Sequence, residues 1–150
     1  HYHELWPLCF IALVPLLVAQ DKAPITVLIV FPVTAMIRCS IQGFPLLIGL
    51  CLGIVIAGLW SILVIIDKLV FAQPNTKSEP LRCSILWTAM WYGLSGPLGT
   101  FELLCTPLYV APALLQPISI FGVFGLELMV MYTNASIASF VSSKNYKYIT

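Results

Sequence analysis

Glu127 is the residue whose type and setting most clearly call for a chemical role. It is a carboxyl group inside the apolar run PALLQPISIFGVFGLELMVMYTN, residues 112–134. A charge in the middle of a bilayer costs at least about 2.5 kcal/mol, so such a group faces a bundle interior or a wet cavity and has a partner. Two roles stay open. Glu127 is a headgroup anchor or a proton relay, or it is a protonated or hydrogen-bonded carboxyl group that fixes helix packing, and we favour packing.

Gln116 lies at the entrance to the same apolar helix, next to Pro117. Proline favours the first turn of a helix and keeps the preceding residue out of the helical region, so Gln116 is placed to bind exposed backbone amides. We expect Gly122 and Gly125 to let another segment press against this end of the helix. Gln116 and Glu127 are therefore our candidate substrate-binding residues, at the rim of a site for a lipid headgroup.

No catalytic residue can be assigned, because the chain has no G-x-S-x-G, H-E-x-x-H or P-loop motif. We expect no metal at the H-x-H pair His1 and His3, and no cofactor. Asn134-Ala135-Ser136 matches a glycosylation pattern but lies in an apolar helix, so we reject it. The cysteines form no C-x-x-C pair, and we expect small hydrophobic residues rather than disulfides or zinc ligands at positions 9, 39, 51, 83 and 105.

The composition indicates which elements position these residues. Of the 150 residues, 60% are hydrophobic and only 9% are charged, whereas soluble domains carry about 25% charged residues. This predicts an all-α integral membrane protein, a polytopic transmembrane helix bundle. The net charge of +1 gives no reason to expect nucleic acid. Because the first residue is His1, we expect residues 1–150 to be a single transmembrane region taken from a larger protein.

A helix needs about 20 mostly apolar residues to cross a bilayer, and five stretches are candidates. Pro15 and Pro32 are expected to mark kinks within two of them. The Gly/Pro-rich connection Ser95–Pro117 is too polar and too often broken for a simple helix, so it lies at the interface or re-enters the membrane. Residues 67–82 are a hydrophilic loop. The predicted spans are Leu5–Ala19, Ala23–Ile37, Gly43–Ile66, Cys83–Leu94 and Ile118–Val141.

Gly49 and Gly53 form a G-x-x-x-G pair in the third span. This spacing puts both glycines on one helix face and lets another helix approach closely. The partner is either a second copy of the chain or another helix of the same chain, and we favour packing within the chain.

The distribution of basic residues predicts the orientation. With five spans, one side of the membrane has only Arg38, and the positive-inside rule places the opposite side in the cytoplasm. The connection 95–117 then faces outward, and the C-terminus at Thr150 is cytoplasmic. The basic residues on the cytoplasmic side are Lys22, Lys68, Lys77, Arg82, Lys144 and Lys147.

Two segments resemble the membrane portion of the apolipoprotein N-acyltransferase family. They are LRCSILWTAMWYGLSGPLGT, residues 81–100, and PALLQPISIFGVFGLELMVMYTNASIA, residues 112–138. The chain departs from the family in lacking a G-F-P-W run in the outward loop and in carrying Glu127 where the family has a small or neutral residue. The matching positions are Leu86, Trp87, Thr88, Ala89, Pro112, Leu114, Gln116, Ile120, Gly122, Val123, Gly125, Leu126, Asn134 and Ala135.

The resemblance implies a membrane bundle joined to an extracytoplasmic nitrilase-like domain. In that family a Glu-Lys-Cys triad takes an acyl chain from a phospholipid and passes it to the N-terminal amine of a lipoprotein. The triad would follow Thr150, so no catalytic residue is carried over, and the partners implied are a membrane phospholipid and a lipoprotein substrate. Two alternative hypotheses are a small transporter or channel subunit with Glu127 as a relay, and a non-catalytic membrane scaffold.

Overall fold

The structure is a computed structural model that describes residues 6–23, 25–41, 43–70, 79–98, 105, 108–109, 112–116 and 118–146. These residues form helices and turns and contain no strand, which confirms the prediction of an all-α chain. One compact unit comprises residues 1–15 and 74–150, and the other comprises residues 16–73. The elements are a 3-10 helix, Trp6–Phe10, and the helices α1 Val14–Lys22, α2 Ile25–Ile41, α3 Leu46–Val70, α4 Glu79–Leu98, α5 Pro112–Leu115 and α6 Ile118–Tyr146.

In the second unit, α2 and α3 pack along each other through Gly49 and Gly53 of α3. A Cβ atom on Gly49 would lie 2.7 Å from the Cα of Met36, and one on Gly53 would overlap the Cα of Pro32. No side chain larger than hydrogen fits at either position, so the backbones of the two helices are in direct contact. The glycine pair therefore serves packing within the chain. Pro32 lies inside α2.

A glycine turn separates α2 from α3. The N–H of Phe44 donates to the carbonyl of Cys39 at 2.8 Å, and the N–H of Gly43 donates to the carbonyl of Ser40 at 3.1 Å. This pair of bonds with Gly43 at φ 76° is a Schellman cap, which closes a helix with a residue in the left-handed region. The predicted third span, Gly43–Ile66, therefore begins before the helix does. Gly43 belongs to the cap that follows the last residue of α2, Ile41, and α3 begins at Leu46.

The first predicted span, Leu5–Ala19, is not a single helix. A 3-10 helix covers Trp6–Phe10, turns follow at residues 11–13, and α1 begins at Val14. Pro15 lies in the first turn of α1, where its missing N–H costs no helical hydrogen bond. With nine residues, α1 is about 14 Å long, and it is therefore too short to cross a bilayer core of about 30 Å.

In the first unit, α4 packs against α6 and the 3-10 helix also contacts α6. The fourth span was predicted at Cys83–Leu94, but α4 runs from Glu79 to Leu98 and extends into both flanking stretches. Of the predicted connection Ser95–Pro117, residues 95–98 belong to α4, and the other described residues form a turn at Cys105, a 3-10 turn at Leu108–Tyr109, α5 and a turn at Gln116.

A kink at Gly122 divides α6. Gly122 has φ 68° and ψ 179°, a conformation that is open to glycine and strained for other residues. Among the described residues, the structure does not show the predicted close approach of another segment at Gly122 and Gly125. No described atom lies within 4 Å of a Cβ built on Gly122, and a Cβ on Gly125 would meet the Cβ of Phe121 in the same helix.

In the part of the chain that the structure describes, two helical stretches are long and apolar enough to cross a membrane, Leu46–Val70 and Ile120–Ser142. The exterior of the second unit is also strongly apolar, since large side chains such as Leu47 and Leu69 on α3 are 68% and 75% exposed. Contiguous apolar surface of this kind is rare on soluble monomers and is typical of lipid or protein contact.

Candidate functional site: the Glu127 cluster

Glu127 is completely buried within the first unit, and both of its carboxyl oxygens accept hydrogen bonds. The indole N–H of Trp87 on α4 donates to Oε1 at 2.7 Å. The backbone N–H of Cys105 donates to Oε2 at 2.9 Å. We call Glu127, Trp87 and Cys105 the Glu127 cluster. One carboxyl group thereby joins α6, α4 and the connection between them.

The spacing on α4 explains why Trp87 reaches Glu127. Ser84, Trp87 and Trp91 follow one another at intervals of three and four residues, which places them on one face of a helix, and all three are buried. The rings of Trp87 and Trp91 meet edge to face with their centroids 5.9 Å apart. This arrangement, which aromatic rings favour, holds the Trp87 indole with its N–H toward α6.

A second aromatic pair lies beside the kink of α6. The rings of Tyr92 and Phe124 also meet edge to face, with centroids 5.2 Å apart. Trp87 pairs with Glu127 and Tyr92 pairs with Phe124, so the residue number rises along α4 as it falls along α6. The two helices are therefore antiparallel.

Cys105 fixes the connection to the buried face of α6. Its backbone N–H is bound to Glu127, and its thiol lies 3.9 Å from the carbonyl oxygen of Val123. Burial, with a further contribution from the nearby Glu127 carboxylate, raises the pKa of the Cys105 thiol to about 12. Because acyl transfer through cysteine requires a thiolate, the protonated Cys105 thiol is unsuited to be a nucleophile at neutral pH.

Asn134 makes a second polar link two turns further along α6. Its Oδ1 accepts the backbone N–H of Leu13 at 2.9 Å. Its Nδ2 donates to the carbonyl of Cys9 at 2.8 Å and to that of Val130 at 2.9 Å. Asn134 is completely buried, and it binds the N-terminal segment to α6 in the same way that Glu127 binds the connection.

Two polar atoms on the buried side of α4 have no hydrogen-bond partner among the described residues. They are Oγ1 of Thr88 and Nε1 of Trp91. An unpaired buried donor costs about 1–3 kcal/mol. The two tryptophans of α4 therefore differ sharply, because only the indole N–H of Trp87 has its acceptor.

The structure places the two residues of the predicted rim in different environments. Gln116 is exposed in a turn after α5, whereas Glu127 has no exposed surface. The geometry around Glu127 is that of the packing role. A headgroup role for Gln116 and Glu127 together stays a prediction and requires the α4–α6 contact to open.

Sequence reasoning missed the roles of Trp87 and Asn134. Both residues carry N–H donors inside apolar helices, where each polar group needs a partner, and that was the available signal. All five cysteines carry thiols rather than disulfides. Among the residues that the structure describes, no three His, Cys, Asp or Glu side chains are grouped to hold a metal ion. His1 and His3 lie outside those residues.

Comparison of the chain with protein-family models, with curated proteins and with solved structures finds no match in any of the three. The residues and their geometry are therefore the basis for assigning a function.

Proposed function

We propose that the chain is the membrane-embedded region of an acyltransferase of the apolipoprotein N-acyltransferase type. Such an enzyme moves an acyl chain from a phospholipid to the N-terminal amine of a lipoprotein. Residues 1–150 contribute no catalytic residue in this proposal, and the Glu-Lys-Cys triad belongs to another part of the parent protein. The region holds the outward connection and the helix entrance at Gln116, where a phospholipid would be admitted.

The observation that carries the proposal is the packing of α4 against α6, because the two segments that resemble the family, 81–100 and 112–138, contain most of these two helices. Glu127, a residue in which the chain departs from the family, joins the two helices through Trp87. Its other oxygen holds the backbone of Cys105, in the connection that would face the catalytic domain. A membrane region that presents a loop to a lipid-processing domain needs this loop to be fixed, because a misplaced substrate reacts slowly.

The proposal includes a multi-pass topology of about five spans. The basic loops and the C-terminus are cytoplasmic, and the connection 95–117 faces outward. Support comes from the apolar lengths of α3 and α6 and from the six basic residues that are predicted on one side against Arg38 on the other.

Sequencing of the transcript on both sides of His1 and Thr150 is the first test. We expect a further apolar helix and then a segment with Glu, Lys and Cys in nitrilase-like order. The parent protein should transfer a radiolabelled acyl chain from phospholipid to a diacylated lipopeptide. Cys105→Ser should leave this transfer intact, whereas replacement of the triad cysteine should abolish it. A stop codon directly after Thr150, or a parent protein without acyl transfer, would overturn the proposal.

Topology is tested separately by cysteine labelling in membrane vesicles of known orientation. Gln116→Cys and Lys147→Cys are introduced one at a time into a chain whose native cysteines are replaced by alanine. A membrane-impermeant maleimide should label position 116 from the outer side and position 147 only from the cytoplasmic side. Labelling of both positions from the same side would refute the five-span arrangement.

A further inference from the structure

The second compact unit contains a cavity of about 120 Å³ that is separate in sequence from the Glu127 cluster. It lies among α1, α2 and α3. Its polar lining includes Gln20 and Lys68, and its apolar lining includes Val27, Trp60, Val64 and Ile65. The cavity is therefore lined by a cationic group and a carboxamide at polar positions and by aliphatic and aromatic side chains elsewhere.

The Gln20 carboxamide provides hydrogen-bond donors to this cavity. Gln20 is only 9% exposed, and its Oε1 accepts the indole N–H of Trp60 at 2.8 Å. This bond identifies the carbonyl end of the carboxamide and leaves the NH₂ group, with two donors, for a ligand. The hydroxyl of Ser61 donates its proton to the carbonyl of Ala57 at 2.7 Å. The NH₂ group of Gln20 therefore favours a ligand with acceptor oxygens, while the Ser61 oxygen is still able to accept a hydrogen bond.

Lys68 adds a positive charge to these donors. It lies in the last turn of α3, and its side chain is exposed. The neighbouring carboxyl group of Asp67 is not part of the cavity lining. An anionic oxygen therefore fits this end of the cavity, since an ammonium group acts as a point charge toward phosphate.

The apolar walls require that the ligand also has an apolar part. A cavity of similar size, about 150 Å³, holds a molecule as large as benzene. The volume of about 120 Å³ thus takes the glycerol-level portion of a lipid rather than whole acyl chains. The chains can continue along the exposed apolar side chains of α3, such as Ile62 and Ile66.

The predicted orientation places Lys68 on the cytoplasmic side of the membrane, where anionic lipids are concentrated. Basic pockets between membrane helices on that side bind anionic headgroups. We propose that the cavity lined by Gln20, Trp60 and Lys68 binds the headgroup and glycerol region of an anionic phospholipid from the cytoplasmic leaflet. This site goes beyond the proposed acyl transfer, which concerns the outward side.

The test measures lipid retention by the chain with native mass spectrometry after reconstitution with phosphatidylglycerol or phosphatidylcholine. The wild-type chain should retain more phosphatidylglycerol than phosphatidylcholine. Lys68→Gln should lower this retention about fivefold, because one lysine near an anionic lipid surface contributes about 1 kcal/mol. Gln20→Glu keeps an acceptor for Trp60 but replaces the two donors by a negative oxygen, and it should lower retention at least as much.

Lys144→Gln is the matched control, since it removes a charge that is predicted on the same side but belongs to α6. It should leave retention close to wild type. Equal losses for Lys68→Gln and Lys144→Gln, or equal retention of the two lipids by wild type, would overturn the proposal. Displacement of phosphatidylglycerol by millimolar inorganic phosphate would also overturn it, because the cavity would then be a simple anion site.

Discussion

The indole N–H of Trp87 and Oε1 of Glu127 lie 2.7 Å apart in the buried contact between α4 and α6. The second carboxyl oxygen binds the backbone of Cys105, so each oxygen faces a donor. In an apolar interior, a hydrogen-bond donor that loses its acceptor lowers the free energy of unfolding substantially. The Glu127 cluster is therefore expected to govern the stability of the first unit.

Glu127→Gln should lower the free energy of unfolding by about 1–3 kcal/mol, because its NH₂ group must face either Trp87 or Cys105, both of which are donors. The measurement is unfolding by sodium dodecyl sulfate in mixed micelles. Met129→Leu, at an exposed position of α6, should change the value by less than about 0.5 kcal/mol. A Glu127→Gln effect as small as that of the control contradicts the packing role.

The transporter alternative predicts a different result for the same substitution. If Glu127 were a proton relay, Glu127→Gln would abolish coupled transport in proteoliposomes while the free energy of unfolding stayed near wild type. We expect the opposite pattern, with a loss of stability and no transport to abolish.

Trp87→Phe and Trp91→Phe form a matched pair on one helix face. Each substitution removes an indole N–H and a similar volume. Trp87→Phe leaves Oε1 of Glu127 without its donor and should cost about 1–3 kcal/mol more than Trp91→Phe, which removes an N–H that has no acceptor among the described residues. Thermal unfolding in detergent measures both. Equal losses for the two variants would show that lost packing, and not the hydrogen bond, sets the effect.

Asn134→Leu should release the N-terminal segment while α6 remains helical. Leu13 loses the acceptor of its N–H, and the carbonyl of Cys9 loses its donor. Hydrogen exchange at the Leu13 amide should accelerate by at least about tenfold, equivalent to about 1.4 kcal/mol of local protection. Thr133→Val is the control, since the Thr133 hydroxyl only bonds Met129 of its own helix. Unchanged exchange at Leu13 in Asn134→Leu would be inconsistent with the described link.

Gly53→Ala and Gly58→Ala distinguish a glycine at a helix contact from one that faces open space. A Cβ at position 53 overlaps the backbone of Pro32, whereas no described atom lies within 4 Å of a Cβ at position 58. Gly53→Ala should destabilise the chain by about 1–3 kcal/mol, and Gly58→Ala should stabilise it by about 0.5–1 kcal/mol. Both values come from detergent unfolding curves, and a neutral Gly53→Ala would mean that α2 and α3 are not in backbone contact.

The thiol of Cys105 should be almost inert at pH 8 in the folded chain. With its pKa raised from 9.0 to about 12, its thiolate fraction there is about a thousandfold below that of an ordinary thiol. Alkylation by iodoacetamide, followed by peptide mass spectrometry, measures the rate, and the chain unfolded in detergent is the control. The rate should keep rising with pH between 9 and 12, where the folded state also loses the stability that the protonated thiol contributes. Equal rates in folded and unfolded chains would exclude the burial of Cys105.

The sequence was sufficient for the helices but not for their ends or their contacts. The length of the continuous apolar stretches located α2, α3, α4 and α6, because a helix that crosses a bilayer needs about 20 mostly apolar residues. This criterion failed at Leu5–Ala19, because an apolar stretch does not show by its composition whether it forms a 3-10 helix and turns or a continuous α-helix. Hydropathy also carries no signal for a Schellman cap, so Gly43 was assigned to the start of the third span, whereas it belongs to the cap of α2.

The candidate site was only partly predictable for a similar reason. A carboxyl group such as that of Glu127 in an apolar run indicates that it has hydrogen-bond partners. The sequence does not identify them, because they lie 22 and 40 positions away along the chain. Trp87 is an ordinary residue for a membrane helix, and the Cys105 donor is a backbone group that no side-chain pattern reveals. Gly122 was expected to admit another segment, whereas its notable feature in the structure is a positive φ, which is a property of the backbone path and not of any neighbour.

The bond between Leu13 and Asn134 joins residues 121 positions apart, and this sets an order for biosynthesis. The ribosome completes Leu13 long before Asn134 exists. Until then the backbone around Cys9 and Leu13 has no native acceptor or donor from α6, and it must be solvated or bound by the insertion machinery. The segment around Leu13 is therefore made well before the residue that binds it, and a ribosome stalled before Asn134 would hold a chain in which the segment from Cys9 to Leu13 is still open to protease.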